Sequence, residues 1–121
     1  MRICIPTKTR NGFNAKVNQY FDKTLFFTIY DQEEGSLDFV ENESHHRGLG
    51  LYQPTDILQA KKIDAVILPG IGQSDLHKMN QNGVKVYKTE ANTVGEIVYH
   101  LEEHFENEIT VKDACAHEQS H

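Results

Sequence analysis

Basic side chains are in short supply in this 121-residue chain: twelve lysines and arginines stand against eighteen acids, for a formal net charge of −6. Acids outnumber cations along most of the sequence, and phosphate binding needs clustered lysine and arginine, so nucleic acid is not an expected partner. No apolar run approaches the roughly 20 residues of a membrane span. The opening Met1-Arg2-Ile3-Cys4-Ile5-Pro6 is interrupted too early for a secretory apolar region. A cytoplasmic protein without a membrane segment is expected. Cysteine is scarce too. Cys4 lies in an apolar stretch and Cys115 in a polar one, so a structural disulfide is not expected. Cys4 reads as a small buried hydrophobe. Ser36, Ser44, Ser74 and Ser120 lack the surroundings of a nucleophile, and no catalytic constellation is visible. The expectation is a protein that is not an enzyme.

What is present suits one domain, long enough to bury roughly two-thirds of its unfolded surface. Residues 2–6 have a strand pattern, with Ile3 and Ile5 on one face and Cys4 on the other. Residues 7–16 (TKTRNGFNAK) form a loop around the Asn11-Gly12 turn signal. Residues 25–30, dense in Phe, Thr and Ile, give a second strand. An acidic turn closed by Gly35 leads to a third at 37–43. Residues 44–50 are loop by composition. Pro54 suits a first helical turn, with Ile57, Leu58 and Ile63 as a modest stripe. Ala65-Val66-Ile67-Leu68 is a continuous apolar strand of the kind covered on both faces. A second helix is expected over 73–82 with Gly83 as its stop, then a fifth strand over 84–87. Thr93 and Glu96 form a capping box for a third helix. Its stripe of Val94, Ile97, Val98, Leu101 and Phe105 predicts one helix through Phe105. The order β-β-β-α-β-α-β-α implies a mixed sheet packed between helices. Residues 1–106 form this α/β domain. Residues 107–121 are polar, and a flexible Cys- and His-bearing tail is expected there.

Several positions carry ligand chemistry. The loop between the first two strands, with the aromatic corner Tyr20-Phe21-Asp22-Lys23, is where a small protein would hold a ligand. Pro69-Gly70-Ile71-Gly72 sets backbone N–H groups at a helix start, a place for an anion and equally a plain structural turn. Asp75 stands where a dinucleotide fingerprint would have its third glycine. His45 and His46 point apart in an extended segment; His45 is the better contributor to a pocket mouth, if the loop is not simply solvated. Cys115, His117 and His121 concentrate soft metal ligands at a spacing looser than a zinc-finger pair, against the alternative of incidental polar residues. His100 and His104 share a helical face without a metalloprotease grouping, and read as boundary histidines.

The runs Ile3-x-Ile5-Pro6-Thr7, Val17-x-x-Tyr20-Phe21-Asp22-Lys23 and Phe27-x-Ile29-x-Asp31 resemble the dinitrogenase iron-molybdenum cofactor biosynthesis family. So do Glu41-Asn42, Asp64-Ala65-Val66-Ile67 before the Gly70 turn, Gly83-Val84-Lys85-Val86-Tyr87 and Thr93-Val94-x-Glu96; together they cover about residues 2–105. The resemblance implies a ribonuclease H-like three-layer α/β/α fold, its five-stranded mixed sheet ordered 3-2-1-4-5 with strand 2 antiparallel. It implies a non-enzymatic carrier of an iron-sulfur or iron-molybdenum type cluster, with a cofactor-donor or acceptor protein as partner. The implied cofactor-binding rim is Thr7, Asn11, Gly12, Tyr20, Phe21, Lys23, His45, Gly70 and Gly72. The family's usual corner is His-Phe-Gly-Arg. Here tyrosine removes an imidazole ligand and Asp22 adds negative charge, so Cys115, His117 and His121 would supply the metal ligands. A metal-independent small-molecule or anion-binding module, with Tyr20 and Lys23 as polar contacts, is the alternative. An acidic surface that docks a partner is a third reading.

Overall fold

A computed structural model describes residues 1–21, 23–42 and 55–110. Its strands are β1 (Arg2–Thr7), β2 (Phe26–Asp31), β3 (Ser36–Glu41), β4 (Ala65–Leu68) and β5 (Lys85–Lys88). They form one sheet in the order β3-β2-β1-β4-β5. β2 runs antiparallel to β1 and β3, whereas β4 pairs parallel with β1 and β5. The helices are α1 (Thr55–Ala60), α2 (Gln73–Gln81), α3 (Val94–Tyr99) and α4 (Leu101–His104). This is the mixed sheet expected, with strand 2 antiparallel.

The two-residue period of β1 builds two cores. Cys4 joins Phe27, Ile29, Val66 and Leu68 against Ile57 and Leu58 of α1 and Leu76 and Met79 of α2. Ile3 and Ile5 face the other way, joining Ala65, Ile67 and Tyr87 against Val94 and Ile97 of α3 and Leu101 of α4. A core on each face makes three layers, and it is why β4 is buried along its whole length.

Three expectations need correction. β3 is Ser36–Glu41, starting one residue before the expected span, and Asn42 follows it in register: its N–H donates to the opposed Leu25 carbonyl at 3.0 Å while its buried side chain turns to the Thr24 carbonyl at 2.9 Å. The single third helix is two, broken at His100 (φ −108°, ψ 32°). There the His100 carbonyl is shared between the His104 N–H at 3.2 Å and the His104 ring at 2.8 Å. Finally, residues 107–110 are not the start of a loose tail. The Lys88 N–H donates to the Asn107 carbonyl (2.9 Å) and the Ile109 N–H to the Val86 carbonyl (2.8 Å), while Ile109 packs on the core. This strap lies along β5 and pairs antiparallel with it at Tyr87 and Glu108. Asp22, His45, Cys115, His117 and His121 lie outside the described residues, as do the other residues of 43–54 and 111–121.

Candidate functional site

The C-terminal ends of β1, β4 and β5 share one edge of the sheet, the edge at which open α/β sheets bind ligands. Loop 7–24 crosses the end of β1 and is tied down on both sides. Thr7 bridges Val17, and Lys16 bridges Thr93 at the start of α3. The Lys8 N–H donates to the Lys16 carbonyl, the Asn18 N–H to the Pro6 carbonyl and the Val17 N–H to the Asn92 carbonyl, at 2.8, 2.8 and 2.9 Å. Gly12 turns the loop in the left-handed region (φ +64°), and Gly95 lets it press on α3: a Cβ there would meet the Phe13 carbonyl at 3.1 Å. Thr24 is the buried tether. Its hydroxyl donates to the Thr7 carbonyl at 2.6 Å and accepts from the Asn18 amide at 3.2 Å.

The rim residues named from sequence fall into two groups. Thr7 is fully buried with its hydroxyl bonded to that of Thr28 (3.0 Å), and Phe21 is buried with its ring 5.0 Å from Phe27. Both anchor the rim from beneath and do not reach its surface. Asn11, Tyr20, Lys23, Gly70 and Gly72 are exposed. The Tyr20 N–H caps on the Asn18 side chain at 3.2 Å, and the Lys23 ammonium lies 5.7 Å over the Tyr20 ring. Gly70 has open space where a Cβ would stand, and Gly72 caps the start of α2.

Three residues were missed: Lys8, Arg10 and Lys16 are exposed on the same loop as Lys23, and among the described residues none of the four forms an ion pair. The signal was present in the charge distribution. Residues 1–30 hold five basic side chains and one acid, Asp22, whereas residues 31–121 hold seven and seventeen.

Next to this loop, a groove of about 580 Å³ is lined by Lys88, Glu90, Glu96, His100, Glu103 and His104. Here the polar groups serve one another. The His104 Nδ1–H donates to the His100 carbonyl at 2.8 Å, and the other ring nitrogen, Nε2, is hydrogen-bonded to the Thr89 hydroxyl at 2.6 Å. Thr89 Oγ1 in turn accepts from the Ala91 N–H at 3.0 Å. His100 Nδ1 lies 3.3 Å from Glu103 Oε1, with its ring edge-on to Tyr99. His100 and His104 therefore do not converge as a metal pair. Among the described residues, no three His, Cys, Asp or Glu side chains gather to hold a metal ion. Complete burial pushes the Cys4 thiol far above its ordinary pKa, so it is no nucleophile.

The family model described as dinitrogenase iron-molybdenum cofactor matches residues 1–104. No curated protein matches. Among solved structures, the chain is similar to the NMR structure of a candidate NifB protein from Thermotoga, assigned to the DUF35 family. Identity is 26%, over 84% of this chain and 87% of that one, with a TM-score of 0.68. It is also similar to the apo form of the orange protein from Desulfovibrio gigas. There identity is 18%, over 90% of this chain and 96% of that one, with a TM-score of 0.73, a likeness of fold alone.

Proposed function

The chain belongs to the dinitrogenase iron-molybdenum cofactor family, and from that premise we propose that it is a non-enzymatic binding or carrier protein for a metal cluster or metallo-cofactor. The family match across residues 1–104, which include the whole of loop 7–24, carries this reading. The cargo would sit on the rim formed by that loop and the Gly70 turn. Sulfide-bridged clusters are anionic, and the rim presents Lys8, Arg10, Lys16 and Lys23 on a backbone held at both ends. The described part of the rim offers no thiolate or imidazole. Its donors fit capture by charge and hydrogen bonding, with Tyr20 contributing a hydroxyl where the family's corner has its imidazole. Coordination, if it occurs, falls to Cys115, His117 and His121. The strap pairs antiparallel with β5, so at Thr110 the chain is heading away from this edge. The stretch from Thr110 to Cys115 reaches at most about 18 Å. We therefore assign capture to the rim.

Anaerobic incubation with an iron-sulfur or molybdenum-containing cluster, followed by desalting and metal analysis, tests this. The intact chain is compared with a chain ending at Thr110, which keeps the strap. Metal in both supports the rim; metal in the intact chain alone moves the ligands to Cys115, His117 and His121. Metal in neither overturns the carrier reading. The exposed Tyr20–Lys23 pair favours one second reading, a metal-independent anion site. Binding of molybdate or phosphate without cluster loading would select it.

A further inference from the structure

We propose that the face made by the loop residues Arg10 and Phe13 with Phe26 of β2 and Phe39 of β3 docks an acidic segment of a partner protein. This inference does not rest on the carrier reading. Arg10 Cζ lies 5.5 Å over the Phe39 ring, and Phe39 meets Phe26 edge-on with centroids 6.1 Å apart. Phe39 is 41% exposed and Phe13 49%. Among the described residues, four of the six large exposed hydrophobic side chains (Phe13, Tyr20, Leu25 and Phe39) fall in the stretch from loop 7–24 through the end of β3. Aromatic rings and arginine on a fixed backbone are the side chains that anchor protein interfaces. The backbone here is fixed: the 3-10 turn Gly12–Asn14 sits against Leu37 of β3, so that a Cβ added at Gly12 would meet it at 3.9 Å, and the Phe13 carbonyl occupies the space a side chain at Gly95 would need.

The charge of the face selects the partner. Lys8 and Lys16 flank Arg10 on the loop, while among the described residues of β3 Glu41, two residues along from Phe39, is the acid on the same side. A partner carrying carboxylates is attracted to this loop and repelled by the remainder of the molecule, where acids dominate. That field orients the encounter. A nucleic acid is disfavoured, because its phosphates would extend past the few cations of the loop onto acidic surface. A second copy adding a strand at β3 is disfavoured as well. The Phe39 N–H on this edge strand is already bonded to the Asp38 carboxylate at 2.8 Å, which blunts the edge.

The test is an NMR titration of the ¹⁵N-labelled full chain with three probes: a peptide alternating Glu and Phe, its Gln and Phe counterpart, and oligothymidylate. The Glu peptide should give saturable shifts confined to residues 8–16, 26 and 36–41, weakening as salt rises. The Gln peptide and the Arg10→Gln chain should each bind about tenfold more weakly, a difference of about one interface contact. Phe39→Ser should do the same and Phe39→Tyr should not, with unchanged spectra elsewhere reporting an intact fold. No saturable shift, shifts centred elsewhere, equal binding of the Gln peptide, or oligothymidylate binding as tightly as the Glu peptide would overturn the proposal.

Discussion

Loop 7–24 and the groove beside α3 and α4 are neighbours on one edge of the sheet, joined at the Lys16–Thr93 bridge, yet they treat their polar groups in opposite ways. In the groove, His104, Thr89, His100, Glu103 and Glu96 are engaged with each other or with nearby backbone. Those contacts hold the chain between β5 and α4 in place. In the loop, the backbone is satisfied internally and by β1, and the cations Lys8, Arg10, Lys16 and Lys23 project without an acidic partner among the described residues. The groove uses polar chemistry to fold. The loop is folded by other means and leaves its polar chemistry for something outside the chain.

Substitutions that remove what folds the loop should have the largest effects. Phe21→Ala empties a buried site against Phe27 and should cost about 3–5 kcal/mol in urea unfolding, because the cavity adds to the lost transfer free energy. Thr24→Val keeps the shape but leaves the Thr7 carbonyl without its 2.6 Å donor, for a loss of about 1–3 kcal/mol. A cost no greater than that of an exposed substitution would show that the loop is not held as described. On the groove side, Thr93→Ala removes the hydroxyl that accepts the Glu96 N–H at the start of α3. Thermal unfolding should report a loss of about 1 kcal/mol.

Charge changes should separate the regions further. The combined Lys8→Gln, Lys16→Gln, Lys23→Gln chain should keep its stability to within about 0.5 kcal/mol, since these side chains are exposed. Its cluster affinity should fall at low salt, with the difference from the parent shrinking as ionic strength approaches about 1 M. The smallest effect is a pH dependence at the strap. Burial, and then the charge of Glu108, raise the Tyr87 pKa above its ordinary value. The folded chain then holds this proton where the unfolded chain has lost it. That contribution is complete below about pH 10 and is lost as pH rises through the raised value. Denaturant titrations across this range should show a shallower decline for Glu108→Gln.

The sheet was legible because its signals are redundant: apolar β1 and β4, a hairpin with Gly35 at φ +67°, and a capping box at Thr93. The break at His100 was not, because the apolar stripe runs across it unchanged, and periodicity does not register a departure of the backbone angles at one residue. The strap escaped notice because one apolar residue, Ile109, carries it in a polar stretch. At the rim, composition could not tell that Thr7 and Phe21 point inward while Tyr20 and Lys23 point outward. The cations beside them were masked by a net charge dominated by the rest of the chain.

The most direct measurement is anaerobic cluster loading at low salt by three proteins: the intact chain, the chain ending at Thr110, and the Lys8→Gln, Lys16→Gln, Lys23→Gln chain. A rim that captures its cargo by charge predicts equal loading by the first two and loss of most metal from the third. Full loading of the lysine variant, with loading abolished by removal of residues 111–121, would contradict it.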